Sequence, residues 1–259
     1  MTAPAVNHRP LALVTGGLHR IGASIAATLA RAGYDLALHQ RTASDPDPLL
    51  AAALAESGAA HRLFRHDLAQ AGAAASLFAE VSAAFGRPPL LIVNNASRFA
   101  ESELASLDEA ELARTMAVNL TVPVMLTQAL LASTPASPAP GACVINILDQ
   151  RVVNPVPDQF GYTLTKQALW QATRTMAIAA APRVRVNAVA PGLTLPTDDY
   201  APGQMERLNA AMPLAQLPTP QAIADAVLYL ANAAHVTGQT IFVDGGANLR
   251  SYERDFVRM

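Results

Sequence analysis

The chain has 259 residues, of which 51% are hydrophobic and 15% charged, with a formal net charge of −2. This composition supplies a sizeable core, excludes the polar profile of a disordered chain and offers no basic footprint for nucleic acid. Cys143 is the only cysteine, which excludes an internal disulfide. The opening MTAPAVNHRP has no apolar stretch behind a basic start, and no run of about 18 apolar residues occurs. A cytoplasmic protein with no signal peptide and no membrane span is expected.

In chain order, strand-like runs occur at 11–16 (LALVTG), 35–40, 61–67, 90–96, 142–148, 184–190 and 240–245. Most are almost continuously apolar, the mark of strands buried on both faces of a parallel sheet. Helices are expected between them, near 21–32, 48–57, 72–85, 103–131, 160–180 and 220–232. Such strand–helix alternation predicts a single α/β domain over 1–259, a Rossmann-type doubly wound fold. Two segments break the rhythm. ASTPASPAPG (132–141) reads as a Pro/Ser-rich surface loop, because the alternation resumes beyond it. The Pro-rich stretch 191–220 is long enough to be a substrate loop.

VTGGLHRIG follows the first strand and opens the first helix. Gly16, Gly17 and Gly22 permit a tight turn and close approach of backbone to a pyrophosphate, at the positive end of a helix. Arg20 stands inside this loop. The second strand ends in His39, Gln40 and Arg41, with no carboxylate until Asp45. An acidic residue there would hold a ribose 2′-OH, whereas a cation accommodates a 2′-phosphate. Arg41 is either a solvated loop residue or a phosphate ligand; with Arg20 nearby, NADP(H) is favoured over NAD(H). His39 reads as a strand-end or cofactor-adjacent residue. His61 and His66 lack further donors at ligand spacing, so no metal is expected.

Tyr162 and Lys166 lie four apart on an expected helix and share a face. An ammonium beside a phenol would lower its pKa and make it a proton relay. Taken in order, TGGLHRIG, HDL (66–68), NNAS (94–97), VNL (118–120), YTLTK (162–166), RVNAVAPG (185–192) and VDGG (243–246) resemble the short-chain dehydrogenase/reductase family over almost the whole chain. The resemblance implies a seven-stranded parallel sheet, a nicotinamide cofactor and a homotetramer. It places Gly16, Arg20, Ile21, Gly22, His39, Arg41, Asp67, Leu68, Asn95 and Ala96 around the cofactor, with Asp67 and Leu68 beside the adenine. Pro191, Gly192 and Thr194 pack near the nicotinamide. Asn119 holds a relay water, Tyr162 is the acid/base and Lys166 binds the nicotinamide ribose. The C-terminal segment 247–259, with Arg250, lies at a subunit interface.

One position departs from the family. Its usual Ser, 13 before the Tyr, is Asp149 here. Asp149, NNAS, Phe99, Arg20 and the HQRT strand end together resemble the pteridine reductase branch, including the bacterial dihydromonapterin reductases. That branch implies an NADPH-dependent reductase of a pterin. Asp149 partners Tyr162, Phe99 stacks the pterin, and Arg20 and Ser97 lie beside pterin and phosphates. A buried carboxylate requires partners, and Tyr162, Arg151 and the substrate are the candidates. Arg151 is either a ligand contact or a surface-loop residue, and the surface reading is preferred. The competing functions are a carbonyl or 3-oxoacyl reductase of the same family, and a non-catalytic NADP(H)-binding sensor.

Overall fold

A computed structural model describes residues 9–100, 102–135, 141–196 and 200–259. Seven strands, β1 (Leu11–Val14), β2 (Asp35–Gln40), β3 (His61–Arg65), β4 (Leu91–Asn94), β5 (Cys143–Ile147), β6 (Arg185–Pro191) and β7 (Thr240–Val243), form one sheet in the order 3-2-1-4-5-6-7. Every pairing is parallel. β1, β4 and β5 are buried along their whole length, which explains their nearly continuous apolar runs; the two polar residues among them, Asn94 and Asn146, pair with each other at 2.8 Å. The strand order reverses between β1 and β4, so a crevice opens above the carboxyl ends of these strands.

The helices are α1 (Arg20–Arg31), α2 (Pro48–Ser57), α3 (Ala73–Phe85), α4 (Glu109–Met116), α5 (Val122–Ser133), α6 (Phe160–Ala180), α7 (Gln204–Ala211) and α8 (Pro220–Asn232). On one face of the sheet Ile25 and Leu29 of α1 meet Ile223 and Val227 of α8. On the other, Leu77 and Val81 of α3 meet Leu126 and Leu130 of α5. Burying one such Leu or Ile side chain contributes about 1.5–3 kcal/mol.

Two elements differ from the sequence expectation. The single helix expected over 103–131 starts late and is interrupted. Residues Leu104–Ser106 form a 3₁₀ turn, and Asp108 then caps α4 by accepting from Glu111 N at 2.7 Å. Residues Ala117–Thr121 form a π turn before α5. Pro123 explains the slip: it has no N–H for the carbonyl of Asn119 four residues earlier. Glu109–Ser133 together are long and apolar enough to cross a membrane, yet α5 packs on α3 and α6.

The stretch 191–220 is not wholly irregular, since it carries α7. Gln204 Nε2 donates to the carbonyls of Phe256 and Val257, at 2.8 and 3.0 Å, and Leu208 and Met212 pack with Phe256. The C-terminal segment therefore folds back on its own chain. Of the loop expected at 132–141, residues 136–140 lie outside the described residues, and α5 runs on to Ser133.

Candidate active site

The glycine loop builds the first half of the crevice. Gly16 has φ +61°, and a Cβ at Gly22 would stand 2.0 Å from the Gly16 carbonyl oxygen, so the turn accepts no side chain there. Asn95 locks the loop from β4's end, its Nδ2 donating to the carbonyls of Thr15 and Gly16 at 3.0 and 2.9 Å. His39 supports it from below. Gly16 N donates to His39 Nδ1 at 3.2 Å, so Nε2 carries the proton and donates to the His66 carbonyl at 3.0 Å. Burial lowers the pKa of His39 and keeps the ring neutral.

Gly16, Arg20, Ile21, Gly22, His39, Arg41, Asp67, Leu68, Asn95, Ala96 and Ser97 all line one cleft of about 510 Å³. This cleft fits a dinucleotide phosphate. The first turn of α1 has no side-chain cap and no acidic residue, leaving its N–H groups for an anion. Arg20 and Arg41 add cations at the rim. Pro191, Gly192 and Thr194 stand outside this cleft, at the end of β6, where Thr194 Oγ1 donates to the Gly192 carbonyl at 2.9 Å. Arg20 connects the two sides, its guanidinium donating to the Leu195 and Pro196 carbonyls at 3.4 Å. A larger cavity, about 690 Å³ and lined by Leu104, Phe160 and Leu164, touches none of Asp149, Tyr162 or Lys166.

β5 and α6 bring the titratable residues together. Tyr162 Oη donates to Asp149 Oδ2 at 2.9 Å. Phe99 meets the Tyr162 ring edge-on, with centroids 4.7 Å apart, and stays 54% exposed. Lys166 Nζ donates to the Ile147 carbonyl at 2.7 Å and stands 5.6 Å from the Tyr162 ring centroid. The N-terminus of α6 is held by Ser102, whose carbonyl accepts from Phe160 N and whose hydroxyl accepts from Gly161 N.

The electrostatics correct one expectation. The net shift of the phenol is upward, not downward. Burial, then the charge of Asp149, raises the pKa of Tyr162 well above its ordinary value, with Arg151 acting the other way. Tyr162 is therefore a protonated donor. Lys166 itself is lowered to about 8, chiefly by burial, with Asp149 opposing.

Arg151 is the second correction. It is no surface residue: it is 8% exposed and makes ion pairs with Asp149 and Asp255. The expected partners of Asp149 within the chain, Tyr162 and Arg151, are both present. Asn119 is buried in the π turn with its amide fully used. Nδ2 donates to Arg98 O and Thr165 Oγ1, and Oδ1 accepts from Arg98 N and Ser97 Oγ. Three participants were not singled out from the sequence. Arg98 holds Glu111 through two nitrogens, dropping the Glu111 pKa to about 2; Gln159 accepts from Arg151; and Asp255 arrives from the chain's end. Their separations follow no helix or strand period, so only the Asp/Arg content of ERDFVRM hinted at Asp255.

Residues 17–248 match the family described as Enoyl-(Acyl carrier protein) reductase. Pteridine reductase 1 of Leishmania tarentolae is 31% identical, covering 93% of this chain and 96% of its own length. The (3R)-3-hydroxyacyl-CoA dehydrogenase of Canis lupus familiaris is also 31% identical, over 95% and 99%. The crystal structure of FolM Alternative dihydrofolate reductase 1 from Brucella canis, complexed with NADP, superimposes with a TM-score of 0.84 and 38% identity, over 93% of this chain and 95% of that one. The family match over residues 17–248 spans both halves of the sheet, and the chain belongs to the short-chain dehydrogenase/reductase family of nicotinamide-dependent oxidoreductases.

Proposed function

We propose that this protein is an NADPH-dependent reductase of a pterin or dihydropterin. The carrying observation is the hydrogen bond from Tyr162 to Asp149, 2.9 Å long, under the exposed ring of Phe99. A ketone asks for a second hydroxyl donor. A pterin presents ring N–H and amino groups, for which a carboxylate is the complementary acceptor. The likeness to the FolM and pteridine reductase proteins supports the same reading.

When bound, NADPH supplies a hydride to the ring carbon of a C=N bond. The chain's residues do the rest. Tyr162 holds a proton at Oη and passes it to the ring nitrogen. Asp149, released from that hydrogen bond, accepts from the ring's N–H groups. Phe99 stacks on the flat substrate, and Ser97 and Arg20 border it. Arg20 and Arg41 hold the 2′-phosphate and pyrophosphate by charge-assisted bonds, and Ile21, Gly22 and Gly16 provide the loop beneath. Asp67 and Leu68 flank the adenine. Lys166 binds the nicotinamide ribose, near Pro191, Gly192 and Thr194, and Asn119 anchors the relay. The single domain works in the cytoplasm as a homotetramer, with 191–220 as substrate loop and 247–259 near a subunit interface.

A second reading, reduction of a β-keto thioester, is favoured by the likeness to the hydroxyacyl-CoA dehydrogenase. The test is kcat/KM of wild type and Asp149→Ser on a dihydropterin and on a β-keto thioester. The pterin reading expects the serine variant to lose ~10²–10⁴-fold on dihydropterin with NADPH binding nearly unchanged. A wild type that prefers the thioester, with a serine variant faster still, sinks it.

A further inference from the structure

Asp149 uses its two oxygens differently. Oδ2 faces Tyr162 Oη. Oδ1 accepts from Arg151 N at 2.9 Å and lies 3.3 Å from Arg151 Nε. The guanidinium is fixed in turn. Its Nη1 donates to Gln159 Oε1 at 3.2 Å, and its Nη2 donates to Asp255 Oδ2. Asp255 is 3% exposed, and its position is set by Asp158, whose Oδ2 accepts from Asp255 N at 2.6 Å. Asp158 also holds Arg254 through both carboxylate oxygens. A buried guanidinium between the buried carboxylate of Asp255 and the partly buried one of Asp149 is costly to assemble and costly to leave incomplete, and a packing role alone calls for no charge. It sits 5.6 Å from the Tyr162 ring centroid and 5.8 Å from that of Phe99.

We propose that Arg151 is the positioning residue of the Asp149–Tyr162 pair, and that Asp255 makes the C-terminal segment part of the active site by fixing Arg151 in place. The main-chain N–H of residue 151 anchors one Asp149 oxygen, and the guanidinium, in ion-pair contact with that oxygen but not hydrogen-bonded to it through Nε, holds the carboxylate charged and turned so that the other oxygen is aimed at the phenol. The proposal deepens the pterin reading and rests on Tyr162 being the proton donor. The charged groups facing Tyr162 are Asp149, Arg151, Asp255 and Lys166. Among them Arg151 pulls the Tyr162 pKa down. Its loss therefore moves the alkaline limb set by Tyr162 upward in pH, while a limb near 8 set by Lys166 stays where it is.

The experiment uses the full chain carrying Arg151→Ala, Arg151→Lys or Asp255→Asn. Turnover is measured on dihydropterin and on a β-keto thioester, and NADPH affinity by fluorescence titration. Losing one charged contact at the reacting pair should lower kcat about 10- to 100-fold, while NADPH affinity holds within about twofold. Millimolar methylguanidine should restore part of the Arg151→Ala turnover and none of the Asp255→Asn loss, and Arg151→Lys should fall between wild type and alanine. A merely structural role predicts weaker NADPH binding, no chemical rescue and an unmoved alkaline limb. Wild-type kcat in Arg151→Ala, or a loss without rescue, overturns the proposal. If wild type reduces only the thioester, the pterin reading fails, and the same losses and rescue on the thioester still support the role of Arg151. A chain that reduces neither substrate overturns both.

Discussion

Lys166 carries a stability cost that a pH titration can read. The residue is 3% exposed, and among the described residues its ammonium has one hydrogen bond, to the Ile147 carbonyl. Burial lowers its pKa from 10.5 to about 8. Between those values the unfolded chain keeps a proton that the folded chain releases, so stability rises with pH across this window. The rise is at most ~1.4 kcal/mol per pH unit and sums to about 3 kcal/mol. Below pH 8 both states are protonated and the whole penalty is present. Lys166→Met removes it, at a cost of ~1–3 kcal/mol for the Ile147 carbonyl left without a donor. The methionine variant should therefore be inactive yet no less stable than wild type at pH 7. The difference between the two should grow in favour of wild type by about 3 kcal/mol from pH 8 to 10.5. Urea unfolding of both proteins without cofactor, followed by circular dichroism at half-unit pH steps, measures this difference and cancels every other titrating group. Parallel stability curves would refute the reasoning.

Three further outcomes follow from the site. Gly22→Ala puts a Cβ 2.0 Å from the Gly16 carbonyl oxygen and 2.7 Å from Asn95 Nδ2. The loop must open by about 1 Å, and a displacement of that size costs on the order of 10²-fold in a positioned site; titration showing wild-type NADPH affinity would contradict it. Arg41→Ala should raise the KM for NADPH about 10- to 100-fold and leave that for NADH little changed, so equal effects on both cofactors would remove the 2′-phosphate assignment. Phe99→Ala should weaken dihydropterin binding by roughly 0.5–1.5 kcal/mol beyond the area lost, visible in KM more than kcat, and an unchanged KM would show that the ring does not stack on substrate.

The sequence alone determined the parallel sheet, because strands covered on both faces must be almost continuously apolar, as in LIVN and CVINI, whose one asparagine each finds the other as partner. It also located the glycine loop, the cation-bearing end of β2 and the Tyr162–Lys166 pair, since each is a local pattern with a local cause. Boundaries were legible to within a few residues, except where one side chain decided the matter, as Asp108 and Pro123 did for the helix expected over 103–131. Only the tertiary structure decided the charge state around Tyr162. Burial and the distance to Asp149 set its pKa, and neither can be read from a four-residue spacing. The same holds for Arg151, for which the sequence favoured a surface-loop position. Its burial depends on Asp255, 104 positions later in the chain. A contact across that separation follows no period of helix or strand; it exists because the C-terminal segment folds back across α7 and the start of α6.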